Sequence, residues 1–313
     1  MAGGWEFGRD AVDKQGFSAE LLSTAKIRLM DPAPLEDHRL LRAAGSRYVV
    51  PLREGGSLPA VVDTDGAGSF VVKFRGAGQG PKALIAEAIV ALLGLAVGLP
   101  VPRPAIVDLE EGFGRSEPDP EIQDILRGSV GANFGLAYLP GALAFDPAVD
   151  GGLLSPERAA DIVWLDAYVT NVDRTPRNTN LLVCGREVWL IDHGAALFMH
   201  HRWAGWRQRI QSPFAQIADH VLLPIAGDLR AADKRLRPRL TPDTIARVVA
   251  AVPEEWLGEG EEDEFADSAA LRAAYVEYLT QRLNGPRAWL DEAVAARERG
   301  PKVLGRRLTH RVV

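Results

Sequence analysis

The chain has 313 residues, 47% hydrophobic and 25% charged, enough apolar material for one large domain or two lobes of about 150 residues each and too much for wholesale disorder. A formal net charge of −6 excludes a protein whose main work is coating nucleic acid, because phosphate neutralisation needs an excess of Lys and Arg; no direct nucleic-acid contact is expected. The single cysteine, Cys184, excludes an intrachain disulfide and a Cys-rich zinc site.

Residues 1–25 are Gly-rich and weakly patterned and read as a loose leader. They carry no apolar run behind a basic start, as a secretory signal would, and with the lone cysteine they predict a reducing, cytoplasmic setting. From Arg47 the pattern changes. YVVPL, PAVV and SFVVKF, separated by EGGS and DTDGAG, predict an antiparallel meander. The run 83–101, ALIAEAIVALLGLAVGLPV, approaches the roughly 20 residues that cross a bilayer. Glu87 lies inside it, however, and a charge in mid-membrane costs at least about 2.5 kcal/mol, so the run predicts a buried helix and no membrane span. Pro81 suits its first turn, Leu84, Ala88, Ala91, Leu92 and Leu95 recur at helical spacing, and Gly98 and Pro100 stop it. PAIVDL at 104–109 predicts a strand, EEGFGRSEPDPE an acidic loop, and FGLAYL at 134–139 a strand ending at Pro140-Gly141.

After Pro140 the character turns helical. Ser155-Pro156-Glu157 is a capping arrangement that opens SPERAADIVWLDAYV. NLLVC and VWLID, joined by Gly185-Arg186, predict a hairpin. Helices are then expected near 212–235, 241–251 and 268–298, interrupted by the solvated acidic linker EGEEDEFAD. There is no internal repeat and no low-complexity region. The tryptophans predict core packing rather than a base-stacking platform.

The densest polar constellation is NVDRTPRNTNLLVCGREVWLIDHG, residues 171–194. It reads either as a surface loop or as a site. Asp173 and Asn178 flank a Pro-containing loop between a helix and a strand, and Asp192 ends an apolar strand that returns to the same end of the hairpin. Two carboxylates and an amide oxygen at one loop mouth form a hard, oxygen-only environment suited to Mg²⁺, and Mg²⁺ implies phosphate. The alternative, a metal hydrolase built on Asp192 with His193, His200, His201 and His220, is weaker, because those histidines provide no H-x3-H pair on a helix.

The order D-x4-N, two short strands, then I-D-x-G resembles the catalytic and metal-binding loops of the protein-kinase-like superfamily, particularly the HipA-like kinases and more remotely the phosphatidylinositol kinases. The resemblance implies an α+β, bilobal protein-kinase-like fold. Residues 26–139 would form a β-rich N-lobe with one αC-like helix and residues 140–298 a helical C-lobe, with 299–313 a basic tail. It implies Asp173 as the catalytic base and Asn178 and Asp192 as metal holders. Lys73, the one lysine within a strand-like run, would neutralise ATP phosphates. Glu87, the single acidic residue between Lys73 and Asp108, would hold it. Gly55, Gly56 and Ser57 occupy the place of a phosphate-covering loop, although two glycines also make an ordinary turn, and Tyr138 and Leu139 that of a nucleotide-binding hinge. No His-Arg pair precedes Asp173, and Asp192-His193-Gly194 replaces Asp-Phe-Gly, which points away from a eukaryotic-type Ser/Thr kinase. Arg174 or Arg177 would offset charge on the transferred group. The activity implied is Mg²⁺- and ATP-dependent phosphoryl transfer to a hydroxyl, a protein Ser or Thr or the chain itself, with a separate partner protein. The alternatives are a small-molecule or lipid kinase and a nucleotide-binding pseudokinase.

Overall fold

Short, largely buried apolar runs build the first part of the structure, a closed five-stranded barrel in a computed structural model that describes residues 40–52, 58–257 and 264–300. The expected Gly55-Gly56-Ser57 loop, the leader and residues 301–313 of the basic tail lie outside the described residues. The strands are β1 (Leu41–Pro51), β2 (Ala60–Thr64), β3 (Gly68–Lys73), β4 (Pro104–Leu109) and β5 (Gly131–Ala137), in the order β1-β2-β3-β5-β4. β1, β2 and β3 form the antiparallel meander, with Tyr48 opposite Val62 and Val62 opposite Phe70. Closure comes from the first half of β1, which runs parallel to β4 with Leu41 opposite Ala105. That half, LRAAGSR, has no β-branched residue. It is a strand because β4 pairs with it and because Arg42 forks onto Asp108 at 2.7 and 2.9 Å, not because of its own propensity. Phe70 and Val72 point into the barrel with Val62 and Val107, so by strand alternation Lys73 leaves on the outer face.

Helix α1 (Gly80–Ala96) covers that face. Every residue from 83 to 94 is buried. A helix apolar all round needs partners on both sides, and α1 has the barrel strands β4 and β5 on one side and the later helix Pro242–Ala250 with the Glu254–Trp256 turn on the other. Trp256 Nε1 donates to the Ala132 carbonyl at 2.9 Å, tying this second side to β5. Among the described residues no helix is long and apolar enough to cross a membrane.

The acidic stretch 110–121 is not loop to its end: Asp119 caps a helix, α2 (Pro120–Arg127), its carboxylate accepting from the Glu121 N–H at 3.0 Å with Pro120 in the first turn. Helix α3 (Pro156–Val169) starts at the expected cap, the Ser155 hydroxyl accepting from the Arg158 N–H at 3.1 Å. The hairpin is β7 (Leu181–Cys184) and β8 (Glu187–Leu190), turning at Gly185, which has φ 65°. A two-residue strand, β6 (Leu143–Ala144), joins β7.

The expected helix at 212–235 is a correction. Pro213, Pro224 and Gly227 interrupt it, leaving 3-10 turns at Ala215–Asp219 and Leu223–Ile225 before α4 (Leu229–Leu236), which Asp228 caps. Helix α5 is Pro242–Ala250. The segment 268–298 is two helices, α6 (Ser268–Asn284) and α7 (Ala288–Arg299), parted at Gly285-Pro286. Trp164, Trp203, Trp206, Trp256 and Trp289 all lie in the core of this helical part, and Cys184 is buried.

Candidate active site

Lys73 reaches α1 and the loop after β8 at once. Its Nζ donates to Glu87 Oε1 and, at 2.6 Å, to Asp192 Oδ1. Glu87 is wholly buried and also accepts the backbone N–H groups of His193 and Gly194, each at 2.9 Å. One helix carboxylate therefore fixes both the strand lysine and the Asp-His-Gly loop. A Cβ at Gly194 would sit 3.2 Å from Glu87 Oε1, tighter than an ordinary contact, so the close approach favours glycine. Asp192 itself has φ 55°, a left-handed conformation costly for a non-glycine residue, held by these surrounding bonds.

The electrostatics follow from one ammonium shared between two carboxylates. Burial would lower the Lys73 pKa, but Glu87 and Asp192 outweigh it and raise it. Burial pushes Glu87 above the ordinary carboxylate range against the pull of Lys73. Burial acts on Asp192 in the same sense, yet Lys73 prevails there and holds it below that range. The neighbouring Asp192 charge adds to burial in raising Glu87, whereas Lys73 and His193 both act to lower Asp192.

Asp173 lies in the loop after α3. Asn178 Nδ2 and Asn180 Nδ2 both donate to its Oδ2, at 2.7 and 3.2 Å, and its own N–H donates to Asn171 Oδ1 at 3.1 Å. Oδ1 accepts no hydrogen bond among the described residues. Because Asn178 turns its amide nitrogen to Asp173, its carbonyl oxygen faces elsewhere as a free acceptor. Among the described residues no group of three or more His, Cys, Asp or Glu side chains is arranged to hold a metal. One carboxylate and one amide oxygen still fit Mg²⁺, a hard ion that takes few protein oxygens and completes its shell with water and phosphate.

At the exit from β5, the Tyr138 N–H donates to Ser69 O at 2.9 Å and the Leu139 carbonyl accepts from Ala142 N at 3.1 Å. The Leu139 side chain packs with Ala142, Cys184 and Trp189. The Tyr138 carbonyl and the Leu139 N–H remain unpaired among the described residues.

Arg174 overturns its expected role. It is wholly buried, with Nε on Asp166 Oδ2 at 2.6 Å, Nη1 on the carbonyls of Asn180 and Ile191, and Nη2 3.2 Å from His193 Nδ1. It holds the loop from beneath and cannot face a transferred group. Asp166 also accepts from Asn171 Nδ2 and His220 Nε2, each at 2.9 Å. Burial would raise Asp166, but Arg174 and His220 hold it well below the carboxylate range. Burial pushes His193 down to about 3 with Arg174 adding to the effect, and lowers His220 despite Asp166. His200 is bonded elsewhere, to Tyr275 at 3.0 Å. The histidines thus do not gather around Asp192, which removes the hydrolase alternative. Sequence reasoning missed Asp166, Asn171 and Asn180, and weighed His220 only as a hydrolase ligand; the one available signal was a carboxylate inside the apolar run VWLDAYV.

Comparison with known proteins decides the lineage. A family profile described as HipA-like kinase matches residues 49–291. The chain belongs to that family. Among solved structures, this HipA-like kinase is similar to the proinflammatory kinase CtkA of Helicobacter pylori, with a TM-score of 0.52 and 12% identity over 83% of this chain and 98% of that one. That likeness is one of fold. No curated protein matches the sequence. The matched segment of this HipA-like kinase holds Lys73, Glu87, Asp173, Asn178 and Asp192 together.

Proposed function

We propose that this chain transfers the γ-phosphoryl group of ATP to a hydroxyl, that of a Ser or Thr on a protein, and that residues 26–139 and 140–298 act as the two lobes of a kinase. The observation that carries the reading is Lys73 held between Glu87 on α1 and Asp192 after β8. A fixed ammonium beside a carboxylate supports a role in meeting nucleotide phosphates next to a bound metal. The Tyr138 carbonyl and Leu139 N–H are the hinge groups for the adenine edge. Asn178 Oδ1 and Asp192 would hold Mg²⁺, which when bound neutralises charge on the β- and γ-phosphates.

Asp173 Oδ1 orients the acceptor hydroxyl and takes its proton. As the acceptor oxygen bonds to the γ-phosphorus, the bond from that phosphorus to the β,γ-bridging oxygen breaks and its electron pair leaves with ADP. Asn178 and Asn180 fix the carboxylate through Oδ2, so the free oxygen is aimed before the acceptor arrives. Incubation with γ-labelled ATP and Mg²⁺, followed by separation of protein from small molecules, tests the reading. Label on protein is expected. Label on an added metabolite assigns a small-molecule kinase, and nucleotide binding without turnover assigns a pseudokinase.

A further inference from the structure

The segment after the Asp-His-Gly loop has a composition unlike the rest of the molecule. Residues 194–218 contain Arg202, Arg207 and Arg209 and no Asp or Glu, in a chain whose net charge is −6. Arg207 is offset by Glu277 at 2.7 and 2.8 Å. Arg209 instead bonds the carbonyls of Ala204 and Arg202, and among the described residues no carboxylate lies within ion-pair distance of Arg209 or the exposed Arg202. Among the described residues, two arginine charges therefore remain without a counter-charge.

The same segment is fastened to the catalytic loop. Leu197 N donates to Val169 O at 2.7 Å and Phe198 N to Thr170 Oγ1 at 3.2 Å, with Leu197 in a left-handed conformation at φ 55°. The backbone is pinned while the Phe198 ring is left 60% exposed. Beside it opens a groove of about 150 Å³, lined by Val172, Phe198, Met199, Arg209, Phe214 and Tyr278. A cavity of about 150 Å³ accepts a benzene-sized group, so this one suits a single bulky apolar side chain. Val172 is the residue immediately before Asp173, so the groove borders the loop that carries the proposed base.

We propose that this groove receives the acceptor protein as an extended, acidic segment: one bulky apolar side chain enters beside Phe198, and flanking carboxylates meet Arg202 and Arg209. The inference rests on the kinase reading and specifies its substrate class. An extended chain advances about 3.3–3.6 Å per residue, so an apolar side chain three residues from the Ser or Thr stands about 10 Å from it along the segment. The surface gains discrimination from both parts, since opposite charge selects acidic over basic segments and the groove selects leucine or phenylalanine over small polar residues.

The test uses three fluorescein-labelled peptides that share one central Ser: one with Glu flanks and a Leu three residues away, one with Arg in place of Glu, and one with Ser in place of Leu. Anisotropy with the full chain, in the presence of Mg²⁺ and a non-hydrolysable ATP analogue, should show the first bound about tenfold more tightly than either other, and weakened by raising salt from about 50 to about 300 mM. Phe198→Ser should remove the Leu preference. Arg202→Glu with Arg209→Glu should invert the charge preference, with thermal melts checking the fold. Equal binding of all three peptides, salt-independent binding, or binding of single-stranded RNA in place of any peptide would overturn the proposal. Transfer from labelled ATP is read separately: acidic peptide bound but never phosphorylated would support the groove and contradict the kinase reading.

Discussion

Two ion clusters meet at the bond between Asp192 and His193, and they are built on opposite principles. On one side a single ammonium, Lys73, faces two carboxylates, Glu87 and Asp192, and Asp192 remains part-exposed. On the other, the buried Arg174 guanidinium meets the one Asp166 carboxylate, with two histidines that burial keeps uncharged. The second cluster is balanced and closed, as a group sealed from water must be. The first has two carboxylates to one ammonium and a part-exposed member, which supports the proposal that a cation from solution binds there. On that reading, the difference separates the cluster that takes a ligand from the one that is scaffold. Charge balance and exposure separate them even though they share adjacent residues.

The largest way to break this division acts on the open side. Asp173→Asn should lower phosphoryl transfer by about 10²–10⁴ while leaving ATP affinity nearly unchanged, as transfer assays beside calorimetry will read. Comparable losses in both would show that Asp173 serves the nucleotide, not the acceptor. On the closed side, Arg174→Met leaves Asp166 charged and unpaired, and should destabilise the fold by about 3–5 kcal/mol in chemical denaturation. A stability close to the parent's would mean that the cluster is not the scaffold described.

Next in size is the coupling between Lys73 and Glu87. Each single alanine variant should reduce transfer, and the double variant should cost less than the sum of the two, because Glu87 acts in part through Lys73 and in part through the His193 and Gly194 N–H groups. A double-mutant cycle should return a coupling of about 0.5–3 kcal/mol. Additive effects would reduce the pair to two unrelated charges.

The last effect is one of pH. His193 is neutral in the fold down to about 3, while an unfolded histidine takes up its proton near 6.5. Between those values the unfolded state binds more protons, so stability falls as pH falls from about 6.5 towards 3 and is fully recovered above about 7. His220, also lowered, acts in the same direction. His193→Gln should flatten part of this acid limb in melts taken from pH 7 to pH 4. An unchanged slope would place the acid sensitivity elsewhere.

The open cluster was legible in the sequence because its members are nearly unique by type and place: one strand lysine, one acid before Asp108, and two Asp residues around a hairpin. The barrel strands and α1 were legible through their periodicity. The closed cluster was not, since Asp166 and His220 are 54 residues apart and meet only through the tertiary fold. Arg174 was misjudged for the same reason, sequence adjacency to Asp173 giving no hint that its side chain turns inward. The parallel pairing of β1 with β4 was likewise hidden, because LRAAGSR owes its strand form to a partner. The 3-10 turns after Pro213 mimic helix in composition and differ only where prolines remove the bonds that would continue it.

Whether the open cluster awaits a cation is tested most directly by calorimetry of a non-hydrolysable ATP analogue binding to the parent chain and to Asp192→Asn, each with and without Mg²⁺. The parent is expected to bind substantially more tightly with Mg²⁺, and Asp192→Asn to lose most of that gain. Equal affinity for the analogue in the parent with and without Mg²⁺ would contradict the assignment of Asn178 and Asp192 as metal holders.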